Sequence, residues 1–265
     1  AVNASLHQLV IYDNMKQSLM FYSTEDGRFV KSEKFNKPTP AEIAYWGGYF
    51  FYHNRLHRNY QDDISLHYYL LASKDGITIG KRYFKHENNK EDYPFSPSGH
   101  NLYDNNSKLY YCRDFDNIVY QIHEDSVVPR FRINLPNPLP ASMIEERPNE
   151  MSLLRSGYSL GITDIYEYGG LLFFRFVKDG YIWSCLYNVE ESKQVYCAKR
   201  IKFLDSSLID TIDGIYKDCF YSILTPEYLD YAFSENPLED YPDLFKTYDV
   251  EGDNPVIAFY RAVVR

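Results

Sequence analysis

The chain has 265 residues, with 28 lysines and arginines against 37 aspartates and glutamates, and a formal net charge of -9. This acidic balance argues against nucleic-acid binding as the main function, because phosphate contacts need a clustered basic surface. No apolar run approaches the roughly 18 to 20 residues of a membrane-spanning helix, so the sequence predicts no transmembrane segment. We find no hinge that would divide the chain and treat residues 1–265 as one domain.

Aromatic residues are unusually frequent. The chain contains 27 tyrosines, 17 phenylalanines and two tryptophans. Side chains of this shape favour strands over helices. The composition therefore predicts an all-β protein.

Blocks of four or five apolar residues recur along the chain, bounded by turn-forming residues, with starts about fifty residues apart. The blocks begin at Leu9, Tyr49, Leu109, Leu171, Cys219 and Val256. Continuous apolar runs are typical of strands buried on both faces, as in sheets stacked around an axis. We predict a β-propeller of five or six four-stranded antiparallel blades with short helical insertions, the six blocks being equivalent innermost strands.

Turn signals join the weaker strands that follow these blocks. Asp26-Gly27 and Asp75-Gly76 each separate two apolar stretches, which indicates antiparallel hairpins. The segment Tyr181–Lys199 reads as a third hairpin, whose register sets Cys185 opposite Cys197. Whether these two cysteines are bridged is left open, because a disulfide needs a narrow range of Cβ separations.

Helical signals are sparse. Thr225-Pro226 has the pattern of an N-cap followed by a first-turn proline, which predicts a short helix over residues 226–233. Three prolines between Leu135 and Pro140 exclude a central strand there. We expect an excursion from the sheets to about Ser156, with a short helix in it.

Three short segments suggest a family. These are Asp116–Ile122, Val127–Phe131 and Asp253–Ile257. They resemble the Ile-Tyr-x-Ile, Pro-Arg-aromatic and Asn-Pro-Val segments of the six-bladed, NHL-like β-propeller family of Bacteroidetes exported proteins. The resemblance implies a periplasmic or surface lipoprotein without an assigned activity.

The sequence departs from that family at its start. The early Gly-x-Gly-Pro-x-Glu stretch and the upstream lipid-attachment cysteine do not appear in the given sequence, and we expect that any export signal was removed or lies outside it. Two interpretations stay open: an N-terminal blade is missing from this chain, or the domain has diverged. The blade number is accordingly five or six.

Motifs for catalysis, metals and cofactors give no positive signal. His53 and His57 are four residues apart, but they follow a strand into a loop, where the helical spacing of metal ligands does not apply. Ser98-Gly99 and Ser156-Gly157 lack the Gly-x-Ser-x-Gly setting of a serine nucleophile. We therefore name no catalytic residue, no metal ligand and no cofactor.

Propellers bind ligands at one end of the central channel. Most of the aromatic rings should fill the space between blades, and a minority should suit sugar or peptide binding. The candidate ligand-binding residues are Tyr45, Trp46, His53, Arg55 and Trp183.

The predicted function is a non-catalytic binding or scaffolding module outside the cytoplasm, with a glycan or an envelope protein as partner. The alternative is a polysaccharide hydrolase or lyase with its site at one channel end.

Overall fold

Five antiparallel sheets form the protein in a propeller arrangement. The computed structural model describes residues 1–3, 6–35, 40–54, 67–86, 95–105, 107–124, 126–199, 212–235, 248–249, 251–252 and 254–261. Within these residues, four blades have four strands and the fifth has three. The all-β propeller predicted from the sequence is confirmed, with five blades.

Each blade is a meander in which consecutive strands are neighbours. Blade 1 comprises β1 (Val2–Asn3), β2 (Gln8–Asp13), β3 (Ser18–Ser23) and β4 (Phe29–Lys34). Blade 2 comprises β5 (Glu42–Trp46), β6 (Tyr49–His53), β7 (Tyr68–Ser73) and β8 (Lys81–Lys85). Blade 3 comprises β9 (Leu102–Asp104), β10 (Leu109–Cys112), β11 (Ile118–Ile122) and β12 (Val127–Arg132).

The remaining elements form two short helices and blades 4 and 5. Helices α1 (Ala141–Glu145) and α2 (Glu150–Leu154) precede blade 4, which comprises β13 (Ser159–Tyr168), β14 (Leu171–Lys178), β15 (Tyr181–Asn188) and β16 (Lys193–Ala198). Blade 5 comprises β17 (Gly214–Tyr216), β18 (Cys219–Leu224) and β19 (Val256–Tyr260), with α3 (Pro226–Glu235) between its last two strands.

The first strand of each blade lies innermost. The contacts between sheets include β1 with β5, β5 with β9, β9 with β13 and β13 with β17. Strand β17 also contacts β9, so the inner strands surround a narrow central space. The fold therefore places the residues of these first strands around the channel.

The predicted equivalence of the six apolar blocks was wrong. The first five blocks lie in β2, β6, β10, β14 and β18, which are second strands of their blades, next to the innermost one. The sixth block is β19, which pairs with β18 in the same sheet. Six blocks therefore correspond to five blades.

Aromatic and aliphatic side chains fill the spaces between blades. One core cluster joins blades 1 and 2 through residues such as Phe21 and Phe50. A second cluster joins blades 2 and 3, and the largest joins blades 3, 4 and 5. Burying such rings removes much apolar surface from water, which is the main force that holds the blades together.

The predicted local signals are confirmed. Asp26-Gly27 lies between β3 and β4, and the segment with Asp75-Gly76 connects β7 to β8. Helix α3 begins after Thr225, whose hydroxyl accepts a hydrogen bond from the Tyr228 amide at 3.3 Å. Leu135 to Pro140 stays outside the strands, and the excursion holds two short helices, α1 and α2.

The hairpin of β15 and β16 has the predicted register at its cysteines. Cys185 and Cys197 are direct cross-strand partners, and a disulfide joins them. Cys112 and Cys219 are free thiols. The pairing derived from the sequence was therefore right, and the bridge that it left open is present.

Candidate functional site

A cavity of about 940 Å³ lies at the centre of the ring. Its lining comes from blades 2 to 5: Glu42, Pro97, Gly99, His100, Leu102, Tyr103, Asp104, Thr163, Asp164, Tyr166, Arg175, Ile182, Asp213, Gly214, Ile215, Tyr221, Ile223 and Thr225. Most of these residues belong to the innermost strands or directly precede them. A concave space with a few convergent polar groups is the usual form of a small-ligand site.

Glu42, the first residue of β5, ties blade 2 to blade 3. One carboxylate oxygen accepts hydrogen bonds from the backbone amides of Asn101 at 2.6 Å and Leu102 at 2.8 Å. The other carboxylate oxygen lies 3.2 Å from Nδ1 of His100. Both oxygens of this carboxylate are thus occupied by contacts that fix the edge of the cavity.

The acidic residues around His100 change its pKa. The hydrogen bond with Glu42 raises the pKa of His100, and partial burial opposes this effect. The charges of Asp164 and Asp213 raise the pKa further. The imidazole thus lies in a negative field to which blades 2, 4 and 5 all contribute.

Asp164 and Arg175 form a buried ion pair within blade 4. Nε of Arg175 donates to a carboxylate oxygen of Asp164 at 2.8 Å, and the two residues are partners across β13 and β14. Burial raises the pKa of Asp164 even though the guanidinium opposes the shift. The pair places one positive and one negative charge on the cavity wall.

Polar bonds also link the other inner strands. The Asn105 side chain donates to the Ile165 carbonyl at 3.3 Å and accepts from the Glu167 amide at 2.6 Å, which joins blades 3 and 4. The Tyr166 hydroxyl donates to the Asp213 carbonyl at 3.0 Å, which joins blades 4 and 5. These bonds hold the walls of the cavity at fixed spacing.

The residues predicted to bind a ligand do not come together. Tyr45 and Trp46 are consecutive in β5, and they pack into two different inter-blade cores. His53 is buried, with Nδ1 3.2 Å from the Tyr111 hydroxyl. Trp183 stacks on Phe176 in blade 4 with ring centroids 6.2 Å apart.

None of these four residues lines the cavity, and Arg55 lies outside the described residues. Their part in ligand binding stays a prediction. The absence of a metal ligand likewise stays a prediction. His57 lies outside the described residues, and within them no group of histidines, cysteines and acids could hold a metal ion.

Sequence reasoning missed the residues that line the cavity. His100 and Glu42 are 58 positions apart, so no local spacing reveals their contact. The sequence carried one signal for these polar residues, which was their position. They lie in or beside the short strand that precedes each apolar block.

Comparisons with known proteins agree with this architecture. The family model described as a domain of unknown function, DUF4934, matches residues 1–261. A crystal structure of a Bacteroides fragilis protein described as exported has a TM-score of 0.76 and 16% identity, and the match covers 98% of this chain and 75% of that one. At this identity the likeness shows the fold alone.

A DUF4221-family member from Bacteroides vulgatus has a TM-score of 0.47 and 10% identity, with 97% of this chain and 76% of that chain covered. No curated protein matches the sequence significantly. Within the described residues, no helix is both long and apolar enough to cross a membrane.

Proposed function

The chain belongs to the DUF4934 family, and we propose that it is a non-catalytic binding propeller that acts outside the cytoplasm and holds a glycan in its central cavity. The observation that carries this proposal is the cavity itself, which four blades line with carboxylates, tyrosines and backbone groups. Hydroxyl-rich sugars need such acceptors and donors, together with ring faces for their apolar C–H surface.

The state of the acids supports binding over catalysis. A general acid or base must be within hydrogen-bond reach of the substrate proton that it transfers. Glu42 has both oxygens occupied by backbone amides and His100, and Asp164 is paired with Arg175. Glu42 thus serves to join blade 2 to blade 3, and Asp164 serves to pair two strands within blade 4.

Two observations support the location. The Bacteroides fragilis protein of similar fold is described as exported. The Cys185–Cys197 disulfide is of the kind that persists in oxidising compartments. A periplasmic or cell-surface location is the corresponding proposal.

A glycan array followed by calorimetry tests the binding function. Ile182 is an exposed residue that lines the cavity. The substitution Ile182→Trp should narrow the cavity and weaken glycan binding at least about tenfold, which corresponds to about 1.4 kcal/mol. Val195→Trp is the matched control, because Val195 is exposed on the neighbouring strand and does not line the cavity. Absence of binding across polysaccharides, or equal effects of the two variants, would contradict the proposal.

A polysaccharide hydrolase or lyase is the second candidate. It is favoured by the convergence of four acids and a histidine on one cavity, with a raised pKa at Asp164 and at His100. Release of reducing ends from polysaccharides by the wild-type protein, abolished in Asp104→Asn or Asp213→Asn, would support it. Binding without any turnover would reject it.

A further inference from the structure

The face of blade 5 that points away from blade 4 is apolar and exposed. Phe220 of β18 packs in the core between blades 4 and 5, and side chains alternate along a strand, so Ile223 and its cross-strand partner Ile257 point away from that core. The rings of Tyr216 and Phe259 lie on the same face, with centroids 5.9 Å apart. Between 48% and 56% of each of these four residues is exposed. We call them the open face of blade 5.

The other blades do not leave a face of this kind open on the side of the next blade. A core cluster joins blade 1 to blade 2, another joins blade 2 to blade 3, and the largest joins blades 3, 4 and 5. A contiguous exposed apolar patch on a sheet is typical of a site of interaction with another protein. The open face of blade 5 therefore has the character of an interface.

The area of the open face fits an interface between two protein molecules. Four side chains of this size, each about half exposed, present roughly 400 Å² of mainly apolar surface. A protein interface of standard size buries about 800 Å² on each partner, of which about 60% is apolar. The open face supplies most of the apolar surface that such a contact needs. Because this area is at the lower end for specific contacts, we expect a dissociation constant in the micromolar range.

The charges around the open face favour a second copy of this chain as the occupant. Within the described residues 213–224 and 254–261, the charged side chains are Asp213, Lys217, Asp218 and Arg261, two of each sign. Arg261 and Asp218 form an ion pair of 2.6 Å in which both side chains are exposed. A surface with both signs of charge can pair with itself across a two-fold axis. The net charge of -9 on the whole chain, in contrast, opposes contact between copies through acidic surfaces.

We propose that the open face of blade 5 is the interface of a two-fold symmetric dimer of this chain. In such an interface the same residues of both copies meet around the axis. Ile257 and Phe259 supply the apolar centre from β19, which is the edge strand of its sheet within the described residues. The edge position of β19 lets a second copy approach while the sheet stays intact.

Cys219 gives a chemical readout of this contact. It is a free, partly exposed thiol, and the alternation along β18 places it on the same face as Ile223. Cys112 is also free but buried, so brief maleimide labelling of the native protein reports on Cys219. Dimer formation should slow this labelling as the protein concentration rises.

Sedimentation velocity tests the dimer directly. Wild-type protein should change from the mass of one chain to twice that mass between about 0.1 and 100 µM. Ile257→Glu adds a like charge from each copy to the contact, so it should raise the dissociation constant at least about tenfold. Val195→Glu is the matched control, because Val195 is an exposed apolar residue of β16 in blade 4, and it should leave the dissociation constant unchanged.

Each outcome supports or overturns the dimer. Wild-type protein that keeps the mass of one chain up to about 100 µM overturns it. A dimer that survives Ile257→Glu, or that Val195→Glu weakens equally, has its interface elsewhere and also overturns the proposal. Urea unfolding checks that both variants fold. If Ile257→Glu does not fold, the labelling of wild-type Cys219 decides, and a rate independent of protein concentration overturns the proposal.

Discussion

The Asp164–Arg175 pair shows what a charge on the cavity wall requires. Both side chains are largely withdrawn from water and are joined by one bond of 2.8 Å. Two buried charges stabilise a fold only while each has its partner, because desolvation of an unpaired ion outweighs its other contacts. The pair is therefore sensitive to the loss of either residue.

We predict that Asp164→Ala lowers the free energy of unfolding by about 3 to 5 kcal/mol, because it leaves the guanidinium buried without its partner. Asp164→Leu combined with Arg175→Met should restore most of this loss, because both charges then disappear. Urea unfolding measures the two effects. A loss below about 1 kcal/mol for the single variant would show that water reaches Arg175 freely.

Glu167 provides a pH-dependent link between blades 3 and 4. Burial alone would raise its pKa, but hydrogen bonds from Lys108, Tyr110 and Arg130 outweigh burial and lower the pKa overall. Lys108 Nζ lies 2.8 Å and an Arg130 nitrogen lies 3.1 Å from its carboxylate oxygens. A carboxylate whose pKa is lower in the folded state stabilises the fold fully above its unfolded pKa, near 4.3.

This stabilisation should be lost as the pH falls through the lowered folded pKa. We predict that wild-type protein loses more unfolding free energy than Glu167→Gln between pH 6 and pH 3, since the variant has no proton to gain at this position. Urea titrations at several pH values measure the two slopes. Parallel curves would contradict the assignment of this link to the Glu167 charge.

At the level of single elements, the apolar blocks in the middle blades form buried strands, as the sequence predicts. The block in β10 is buried along its whole length, and β6 is buried except at its first residue. The pattern was readable because neighbouring blades cover both faces of these strands. Hairpin turns were equally predictable, because the glycine of Asp-Gly supplies the backbone conformation that a tight turn needs.

The block in β19 was misassigned for a physical reason. Its residues alternate between half-buried and exposed, with Ile257 and Phe259 on the open face. An apolar run has the same letters whether one face or both are covered, so the sequence cannot distinguish an end blade from a middle one. The cavity residues escaped prediction because their contacts join strands that are far apart along the chain.

The β15–β16 hairpin should depend on its disulfide. The bridge closes a loop of 12 residues, for which loop-closure entropy implies a stabilisation of about 2 to 3 kcal/mol. Replacing Cys185 and Cys197 with serine should lower the unfolding free energy by that amount. Thiol titration of the denatured protein should detect two free thiols before reduction and four after it, and four before reduction would contradict the bridge.

At the scale of the whole molecule, the ends of the blade series differ from its middle. Ile11 and Phe29 are exposed on blade 1, and Ile223, Ile257 and Phe259 are exposed on one face of blade 5. Within the described residues, no core cluster joins blade 5 to blade 1, whereas such clusters join each of the other neighbouring pairs. Apolar residues of the same type should therefore contribute more to the free energy of unfolding in the middle blades than on the exposed face of blade 5.

Phe173 and Phe259 form a matched pair for this test. Phe173 packs against Tyr166 and Phe220 with 3% of the residue exposed, whereas Phe259 is 53% exposed. Phe173→Ala should lower the unfolding free energy by about 3 to 5 kcal/mol, as expected for a ring removed from a close-packed core. Phe259→Ala should change it by less than about 1 kcal/mol, because little buried surface is lost there.

Urea unfolding of both variants decides the point, and light scattering adds a second readout. Since Phe259 lies on an exposed apolar face, its removal should also reduce concentration-dependent association of the protein. Equal destabilisation by the two substitutions would mean that the open face of blade 5 is covered in solution. The exposure of one face of blade 5 would then no longer explain why the apolar block of β19 was predicted to be an innermost strand.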